Sequence, residues 1–303
     1  PAGSLCRPDR GLCPLEGNQQ LSHALHRRTA ILSGLSALAL PGLARSQTAA
    51  LPLRLDGRFM QGGVAVGQTV PGAALYLDDD AVGAAGQDGW FVIGFDRDAP
   101  SGQVLRVVAD GGETAHPLTL QPGDFDIQRI NGLPRNQVAP SDPELLARIR
   151  AEAVRKRAGF ASQAPRTDFR GGFIPPLASY RLSGRFGGQR VLNGVPARPH
   201  YGVDMAAPRG TPILAPAGAL VSFAETGLHY EGGLIMLDHG QGLITAYLHM
   251  SRLDVAAGQS VAQGQVIGAV GAEGRATGPH LCWRMKWRDR NLNPMSLVGF
   301  SAA

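Results

Sequence analysis

Residues 200–204 read His200-Tyr201-Gly202-Val203-Asp204, and further along the chain residues 280–282 read His280-Leu281-Cys282. Two prolines, Pro199 and Pro208, flank the first stretch, so extended backbone is favoured there over a helix. Side chains two or four residues apart lie on the same face of a strand. We therefore expect His200 and Asp204 to share one face of a strand, and His280 and Cys282 to share one face of another.

These residue types are those that bind zinc, through imidazole, carboxylate and thiolate groups. Three protein ligands with one open position are typical of a zinc hydrolase. A further histidine, His249, ends a predicted strand over residues 243–248 and is expected on the same face as Tyr247. The pattern predicts a zinc site built from well-separated parts of a β-rich chain.

The composition limits the fold class. A chain of 303 residues with 44% apolar and 17% charged residues can form two modest domains with real cores. Its 41 Gly and 22 Pro, with few long helical periodicities, favour β-structure with many turns. We predict a mainly β protein.

The charge of the chain is mildly basic. A net charge of +5 and a pI of about 9.5 fit an ordinary soluble protein or attraction to an anionic cell-wall polymer or membrane surface. No Lys/Arg tract with interleaved aromatics is present in the C-terminal half, so nucleic acid is not an expected partner. Trp283 and Trp287 alternate with Arg284 and Arg288, which we interpret as buried tryptophans on a strand with basic residues facing outward.

The N-terminal part, residues 51–134, is predicted to be a small β-sandwich. Runs at 73–77, 90–95 and 104–108 have strand-like composition and are separated by glycine-containing turns. The acidic run Asp78-Asp79-Asp80 is interpreted as a solvated turn rather than a calcium site, because no further oxygen ligands follow at a recognisable spacing.

A linker helix is predicted over residues 141–159. Ser141 is the expected N-cap, Glu144 completes a capping box, and Gly159 is the expected stop. Its many basic residues are interpreted as a solvated face, with contact to a wall or a partner as the alternative. A second β-domain is predicted over residues 170–303.

Residues 1–46 have the composition of a leader and signal peptide. His26-Arg27-Arg28 precedes an apolar run over residues 30–43, and Ala44-Arg45-Ser46 supplies small residues for cleavage near Ser46. The paired arginines leave both Sec and twin-arginine export open. We expect a periplasmic or cell-envelope protein whose mature form has no transmembrane anchor. Cys6 and Cys13 would be removed, and no acylatable cysteine follows the cleavage region.

The C-terminal region resembles a known family. Residues 182–297 resemble the LytM/lysostaphin-type zinc metallopeptidases through the two stretches quoted first, through Thr245-Ala246-Tyr247-Leu248-His249, and through Gly278-Pro279-His280. Gly258-Gln259-Ser260-Val261 and Gly264-Gln265-Val266-Ile267-Gly268 match the family's turn-and-strand run. The resemblance implies an antiparallel β-rich, lysostaphin-like domain over the whole C-terminal part.

The resemblance also implies an activity and its residues. It implies a Zn²⁺-dependent endopeptidase that cuts peptide cross-links of bacterial peptidoglycan, so that peptidoglycan peptide stems are the expected partner. The implied metal ligands are His200, Asp204 and Cys282, and the implied catalytic pair is His249 and His280. Arg185, Asn193 and Tyr247 are assigned to substrate binding. His239 is expected to be structural, and His229 is interpreted as a loop residue with groove lining as the alternative.

Cys282 departs from the family pattern, which has histidine as the third zinc ligand. One interpretation is that the thiolate binds zinc in place of imidazole. A second is that metal binding is impaired, so that the domain only binds wall peptide or activates another wall hydrolase or a divisome component. A third is an isolated substitution. Because the other four site residues are retained, a metal-binding, active domain is favoured.

Overall fold

The computed structural model describes residues 50–134, 138 and 140–302, which belong to one compact unit. The predicted leader and signal peptide, with Cys6 and Cys13, lies outside these residues. Within the described part of the chain, no helix combines the length and hydropathy needed to cross a membrane.

The N-terminal region contains seven strands in two antiparallel sheets. One sheet has the order β1-β2-β5 and the other the order β4-β3-β6-β7. The strands are β1 Arg54–Gly57, β2 Val64–Gln68, β3 Ala74–Leu77, β4 Asp80–Ala84, β5 Trp90–Gly94, β6 Gly102–Ala109 and β7 Gly112–Thr119. The three strands predicted here are confirmed to within a few residues.

Alternation of side chains explains how these sheets pack. Along β6, Leu105 and Val107 are fully buried while their neighbours are more exposed, and Phe91 and Ile93 of β5 are buried in the same core. Gly111, with φ of +86°, makes the tight turn that joins β6 to β7. Asp78 has φ of +55°, and its carboxylate accepts hydrogen bonds from Val104 N and Gln103 Nε2, as expected for a turn.

The C-terminal region is organised around an eight-stranded sheet with the order β18-β14-β15-β16-β20-β12-β9 and with β21 beside β20. Two three-stranded sheets, β13-β19-β17 and β11-β10-β8, complete it. The strands are β8 Ile127–Ile130, β9 Arg181–Gly184, β10 Gln189–Leu192, β11 Val195–Pro196, β12 Val203–Ala206, β13 Pro212–Leu214, β14 Ala219–Leu228, β15 Gly232–Asp238, β16 Leu243–Met250, β17 Arg252–Leu253, β18 Ser260–Val261, β19 Val266–Ala269, β20 His280–Trp287 and β21 Arg290–Leu292.

The two central strands, β15 and β16, are buried along their whole length. Residues such as Ile235 and Tyr247 pack into the main core on one face, while Met236 and Ala246 pack into a smaller apolar cluster on the other. Near-continuous apolar sequence is what a strand covered on both faces requires. Trp283 and Trp287 of β20 are buried, as predicted, but Arg284 and Arg288 are partly buried rather than facing outward as predicted.

In the described part of the chain, the helix α1 spans Pro143–Phe160, after β8 and before the other C-terminal strands, and short 3₁₀ helices span Asp168–Gly171 and Pro294–Leu297. The predicted cap was wrong by one residue, because Asp142 rather than Ser141 is the N-cap and accepts a hydrogen bond from Glu144 N. Gly159 does not end the helix. An added Cβ there would lie 2.8 Å from Phe223 Cβ, so glycine allows the helix to approach the sheet closely.

One side of the helix contacts the sheet, while Arg150, Arg155 and Arg157 stay exposed as predicted. Lys156 Nζ donates to Glu231 Oε1 at 2.7 Å, and the buried Glu152 accepts a hydrogen bond from His229 N. Arg155 pairs with Glu225 of β14. Much of its basic face is therefore used within the chain.

The N-terminal and C-terminal sheets share one continuous hydrophobic core. Gly94 of β5 lies against Leu292, and an added Cβ there would be 2.6 Å from Leu292 Cδ1. Gln241, in the β15–β16 turn, donates to the carbonyl oxygen of Trp90 at 2.8 Å. The domain boundaries predicted from sequence, 51–134 and 170–303, stay a prediction.

Candidate metal centre and active site

Three potential metal ligands converge on one point. Asp204 of β12 and Cys282 of β20 are directly opposite each other in an antiparallel pair, and His200 lies in the loop that enters β12. His200 Nε2 lies 3.0 Å from Asp204 Oδ1 and 3.4 Å from Cys282 Sγ. The three ligand atoms all lie within 4.8 Å of one another.

The geometry distinguishes a metal site from a nucleophilic cysteine triad. In such a triad the histidine contacts the thiol through one ring nitrogen and the carboxylate through the other. Here Asp204 and Cys282 both approach Nε2 of His200, and the buried Nδ1 has no hydrogen-bond partner. Tetrahedral zinc with ordinary bond lengths separates nitrogen and oxygen ligands by about 3.3 Å and nitrogen and sulfur ligands by about 3.6 Å. The observed spacing fits a metal site.

Asp204 is prepared to be a charged ligand. Its buried Oδ1 lies 3.0 Å from His200 Nε2, while Oδ2 accepts a hydrogen bond from Arg190 Nη2 at 3.1 Å. Burial raises the pKa of Asp204, but His200 and Arg190 outweigh this effect and hold the pKa below its ordinary value. The carboxylate is therefore ionised, and its Oδ1 and His200 Nε2 face the same point, which fits a divalent cation held between them.

Two glycines make room for the ligands. Gly184 of β9 is opposite Asp204, and an added Cβ there would lie 2.6 Å from Asp204 Oδ2. An added Cβ at Gly202 would lie 3.2 Å from Cys282 Sγ. Side chains at either position would push a ligand out of place.

His249 reaches the site because β16 contains a bulge. The pairing passes from Ile235–Tyr247 to Gly233–Met250, so β16 advances by one more residue than β15. His249 has φ of +66°, in the left-handed region that non-glycine residues rarely adopt. The prediction that Tyr247 and His249 share a face was wrong, because this extra residue reverses the alternation.

The two candidate catalytic histidines form a pair. The ring centroids of His249 and His280 lie 4.7 Å apart, and His280 Nε2 is 3.8 Å from Asp204 Oδ1. His249 Nδ1 bonds to the carbonyl oxygen of Glu273 at 2.7 Å, and His280 Nδ1 bonds to that of Gly278 at 2.8 Å. Because a carbonyl only accepts, each Nδ1 carries the proton and each Nε2 is left as a base.

Burial keeps both histidines neutral. It lowers the pKa of His249 to about 4 and also lowers the pKa of His280 below its ordinary value. Near neutral pH both rings therefore have a free lone pair on Nε2. This is the state in which an imidazole takes up a proton from water.

Two of the three residues assigned to substrate binding lie outside this site. Tyr247 is fully buried, and its hydroxyl is 2.9 Å from Thr245 Oγ1, so it packs in the core and has no surface for substrate. Asn193 forms the turn between β10 and β11 with φ of +48°, and its side chain bonds the backbone of Leu133. These two assignments are corrected to structural roles.

Arg185, the third of these residues, lies beside a different cavity. It pairs with Asp124 at 3.6 Å and lines an apolar cavity with Phe125, Phe186 and Met60. Among the described residues it contacts none of the candidate metal ligands, so its assignment to substrate binding has no support in the geometry.

The remaining histidines have structural environments. His239 is fully buried, with Nδ1 donating to Gly218 O and Nε2 accepting from Thr245 Oγ1, which confirms the structural interpretation. The ring of His229 packs on Tyr230 with centroids 4.5 Å apart. It does not line the cavity that contains Asp204 and His280.

The sequence analysis missed Arg190 and Gly184, which orient and accommodate Asp204. Arg190 lies on β10, a four-residue strand whose alternation is too short to recognise. Gly184 carries no side chain that could have signalled its role. Only the pairing of β9 with β12 identifies it.

The model of peptidase family M23 matches residues 198–294. The crystal structure of a putative peptidase M23 from Pseudomonas aeruginosa superimposes with a TM-score of 0.62 and 30% sequence identity, covering 81% of this chain and 96% of that one.

Two curated relatives match over the C-terminal region. DD-carboxypeptidase/endopeptidase Mpg of Neisseria meningitidis serogroup B is 40% identical over 130 residues, which is 43% of this chain and 30% of that protein. Peptidoglycan DD-endopeptidase ShyA of Vibrio cholerae is 39% identical over 124 residues, 40% of this chain and 28% of that protein. The match with this chain thus spans less than a third of the length of these relatives.

Proposed function

Because this chain belongs to peptidase family M23, we propose that it is an exported zinc metalloendopeptidase that hydrolyses peptide cross-links of bacterial peptidoglycan. The observation that carries the proposal is the convergence of His200 Nε2, Asp204 Oδ1 and Cys282 Sγ beside two neutral histidines. The names of the relatives, a DD-carboxypeptidase/endopeptidase and a peptidoglycan DD-endopeptidase, support the choice of substrate.

His200, Asp204 and Cys282 would hold the zinc ion. When bound, zinc lowers the pKa of a water molecule and polarises a carbonyl group. Arg190 holds Asp204 in place through its hydrogen bond to Oδ2. The burial of His200 and Cys282, which are about 1% exposed, keeps bulk water away from two of the three ligands.

His249 and His280 would move the protons. Each ring is fixed by its Nδ1 hydrogen bond, and each presents Nε2 as an acceptor. One imidazole can take a proton from the attacking water and return it to the leaving amine, while Nε2 of the other accepts a hydrogen bond from that water and orients it. The ring that has taken up the proton can hydrogen-bond the developing oxyanion before it protonates the amine. The short distance between the rings allows both to act on one scissile bond.

A second candidate function follows from Cys282. A thiolate adds negative charge to that of Asp204 and would make zinc-bound water less acidic than two neutral histidines would. An impaired domain would bind peptidoglycan peptide, or activate another wall hydrolase or a divisome component, without cutting. Zinc content after purification without added metal separates the two candidates, since an enzyme should retain close to one zinc per chain.

The test of the proposed function is digestion of purified sacculi followed by mass spectrometry of the released muropeptides. The native protein and a Cys282→His variant are each assayed with zinc and with a chelator. Chelator-sensitive release of uncrosslinked peptides by the native protein supports the enzyme and identifies the bond. Release by the variant alone favours the impaired domain, and release by neither contradicts an endopeptidase.

We also propose that the mature chain begins near Ser46 and lies in the periplasm or cell envelope. The basic, apolar and small-residue segments of the leader support export. N-terminal sequencing of the protein recovered from a periplasmic fraction tests this proposal. A mature N-terminus upstream of the apolar run would contradict it.

A further inference from the structure

A groove of about 580 Å³ opens beside the candidate metal centre. Asp204 and His280 contribute to it, together with residues that no part of the mechanism has yet used. The latter include Arg129, Arg181, Ser183 and Thr277. Because the groove contains both a metal ligand and a catalytic histidine, a substrate lying in it would contact these side chains.

Two strands bring arginines to this groove. β8 pairs in parallel with β10, with Arg129 opposite Val191, and this pairing holds a segment from before α1 against the C-terminal region. β9 is the edge strand of the large sheet, with Arg181 opposite Ala206. Both arginines precede residues 198–294, the part of the chain that the family model matches.

Among the described residues, no acidic side chain pairs with either arginine. Both side chains are exposed, and neither forms an ion pair with any residue that the structure describes. The only acidic residue among the groove's lining is Asp204, which is engaged by His200 and Arg190. The groove therefore presents uncompensated positive charge next to the position of the scissile bond.

We propose that Arg129 and Arg181 are specificity residues that bind a free carboxylate of the peptide stem, so that the preferred substrates are stems carrying such a carboxylate near the scissile bond rather than amidated stems. The inference rests on the proposed function. Arginine binds carboxylates through paired, charge-assisted hydrogen bonds, and an amide lacks the charge that makes these bonds strong. Two carboxylates of a stem could fill this role: the one on the side chain of a diamino acid within the stem, and the one at the stem's C-terminus.

The experiment uses the zinc-loaded full chain and synthetic cross-linked stem peptides in three forms. One form has all carboxylates free, one is amidated at the side-chain carboxylate, and one is amidated at the C-terminus. Variants Arg129→Gln and Arg181→Gln are compared with Arg150→Gln, which removes an equally charged, exposed arginine on α1. Affinity for uncleaved, fluorescently labelled single stems is measured in parallel by anisotropy.

We expect the native protein to prefer the free-carboxylate form by about 10-fold in kcat/KM, mainly through KM. Arg129→Gln and Arg181→Gln should each lose most of this preference while their kcat, zinc content and activity on the amidated form stay unchanged. Arg150→Gln should behave like the native protein. The bound carboxylate is identified as the one whose amidation lowers kcat/KM. The difference in kcat/KM between free and amidated stems should shrink in 0.5 M salt, where the Debye length is about 4 Å.

Equal affinity for free and amidated stems in the anisotropy assay would overturn the inference whether or not the protein cuts peptides. Faster cleavage of all three substrate forms by the arginine variants would also overturn the inference. It would mean that these side chains block the groove instead of binding the substrate. The proposed function fails separately, if zinc-replete protein binds stems with the expected preference but cleaves none of them.

Discussion

The five residues of the candidate site are placed by two different kinds of backbone. Asp204 and Cys282 lie on regular strands and meet because the register of β12 and β20 sets them opposite each other. His249 depends on a bulge with a left-handed residue, and His280 lies at the first residue of its strand. Regular pairing therefore places Asp204, Cys282 and His280, while the loop before β12 and the bulge in β16 place His200 and His249.

The strongest test of this division removes a ligand from the regular strands. Cys282→Ala leaves β20 and its register intact but removes one of three ligands. Loss of an outer-shell partner alone costs about 10- to 100-fold in metal affinity, so loss of a ligand should cost more than about 100-fold. Zinc content should fall close to zero, and cleavage of sacculi should disappear.

Cys282→His is the matched control for this loss. It restores a third ligand of the ordinary family type and should recover zinc binding. Zinc affinity is measured by chelator competition and the fold by circular dichroism. A Cys282→Ala protein that keeps its zinc would mean that the thiol is not a ligand.

Removing His249, the side chain on the bulge, should lower activity without lowering zinc content. His249→Ala should keep zinc, since its ring does not belong to the converging ligand set. Loss of one acid–base group should lower kcat by about 10²- to 10⁴-fold. His116→Ala, which removes an exposed histidine on β7, should match the native protein in both measurements. Loss of zinc in His249→Ala would show that the two classes of residue are not separable.

Sequence periodicity predicted the regular half of the site and failed at the irregular half. The two-residue spacing of His280 and Cys282 requires only that a strand alternates. The prediction that His200 and Asp204 share a face of one strand was wrong, because His200 lies in the loop before β12. The position of His249 relative to Tyr247 could not be predicted, because a bulge depends on what the neighbouring strand pairs with. The same limit applies to Arg190 and Gly184, whose roles depend on non-local pairing.

The fold shows a similar division between local and non-local information. Turn residues and alternation predicted the N-terminal strands because both are properties of a few adjacent residues. The docking of α1 was missed because Glu152 and Lys156 resemble solvent-facing residues until their partners on the sheet are known. Polar side chains that are satisfied across long sequence separations are the ones that sequence reasoning misplaces.

His239 shows that burial alone does not make a histidine catalytic. Burial lowers its pKa to about 4, as for His249, but both of its ring nitrogens are hydrogen-bonded. The unfolded chain binds a proton at this position below about pH 6.5 and the folded chain does not, so stability falls as the pH falls from about 6.5 to 4. This single group accounts for a loss on the order of 3 kcal/mol across that interval.

His239→Gln should flatten this pH dependence. The free energy of unfolding is measured by urea titration between pH 4.5 and 7.5 for the native protein and the variant. The difference between the two slopes of unfolding free energy against pH gives the contribution of His239, since the other titrating residues contribute equally to both proteins. Parallel curves would mean that His239 is already protonated in the folded protein.

The smallest expected effect is the loss of zinc affinity on filling the space between Gly184 and Asp204. Gly184→Ala places a methyl group where only 2.6 Å separates the added Cβ from Asp204 Oδ2, so the carboxylate must shift away from Arg190 and from its ligand position. We expect a 10- to 100-fold loss of zinc affinity, the range found when a ligand loses its supporting contact. Gly102→Ala, where nothing lies within 4 Å of the added Cβ, is the matched control. Unchanged zinc affinity in Gly184→Ala would mean that β9 gives way and that the regular strands hold Asp204 less firmly than their pairing indicates.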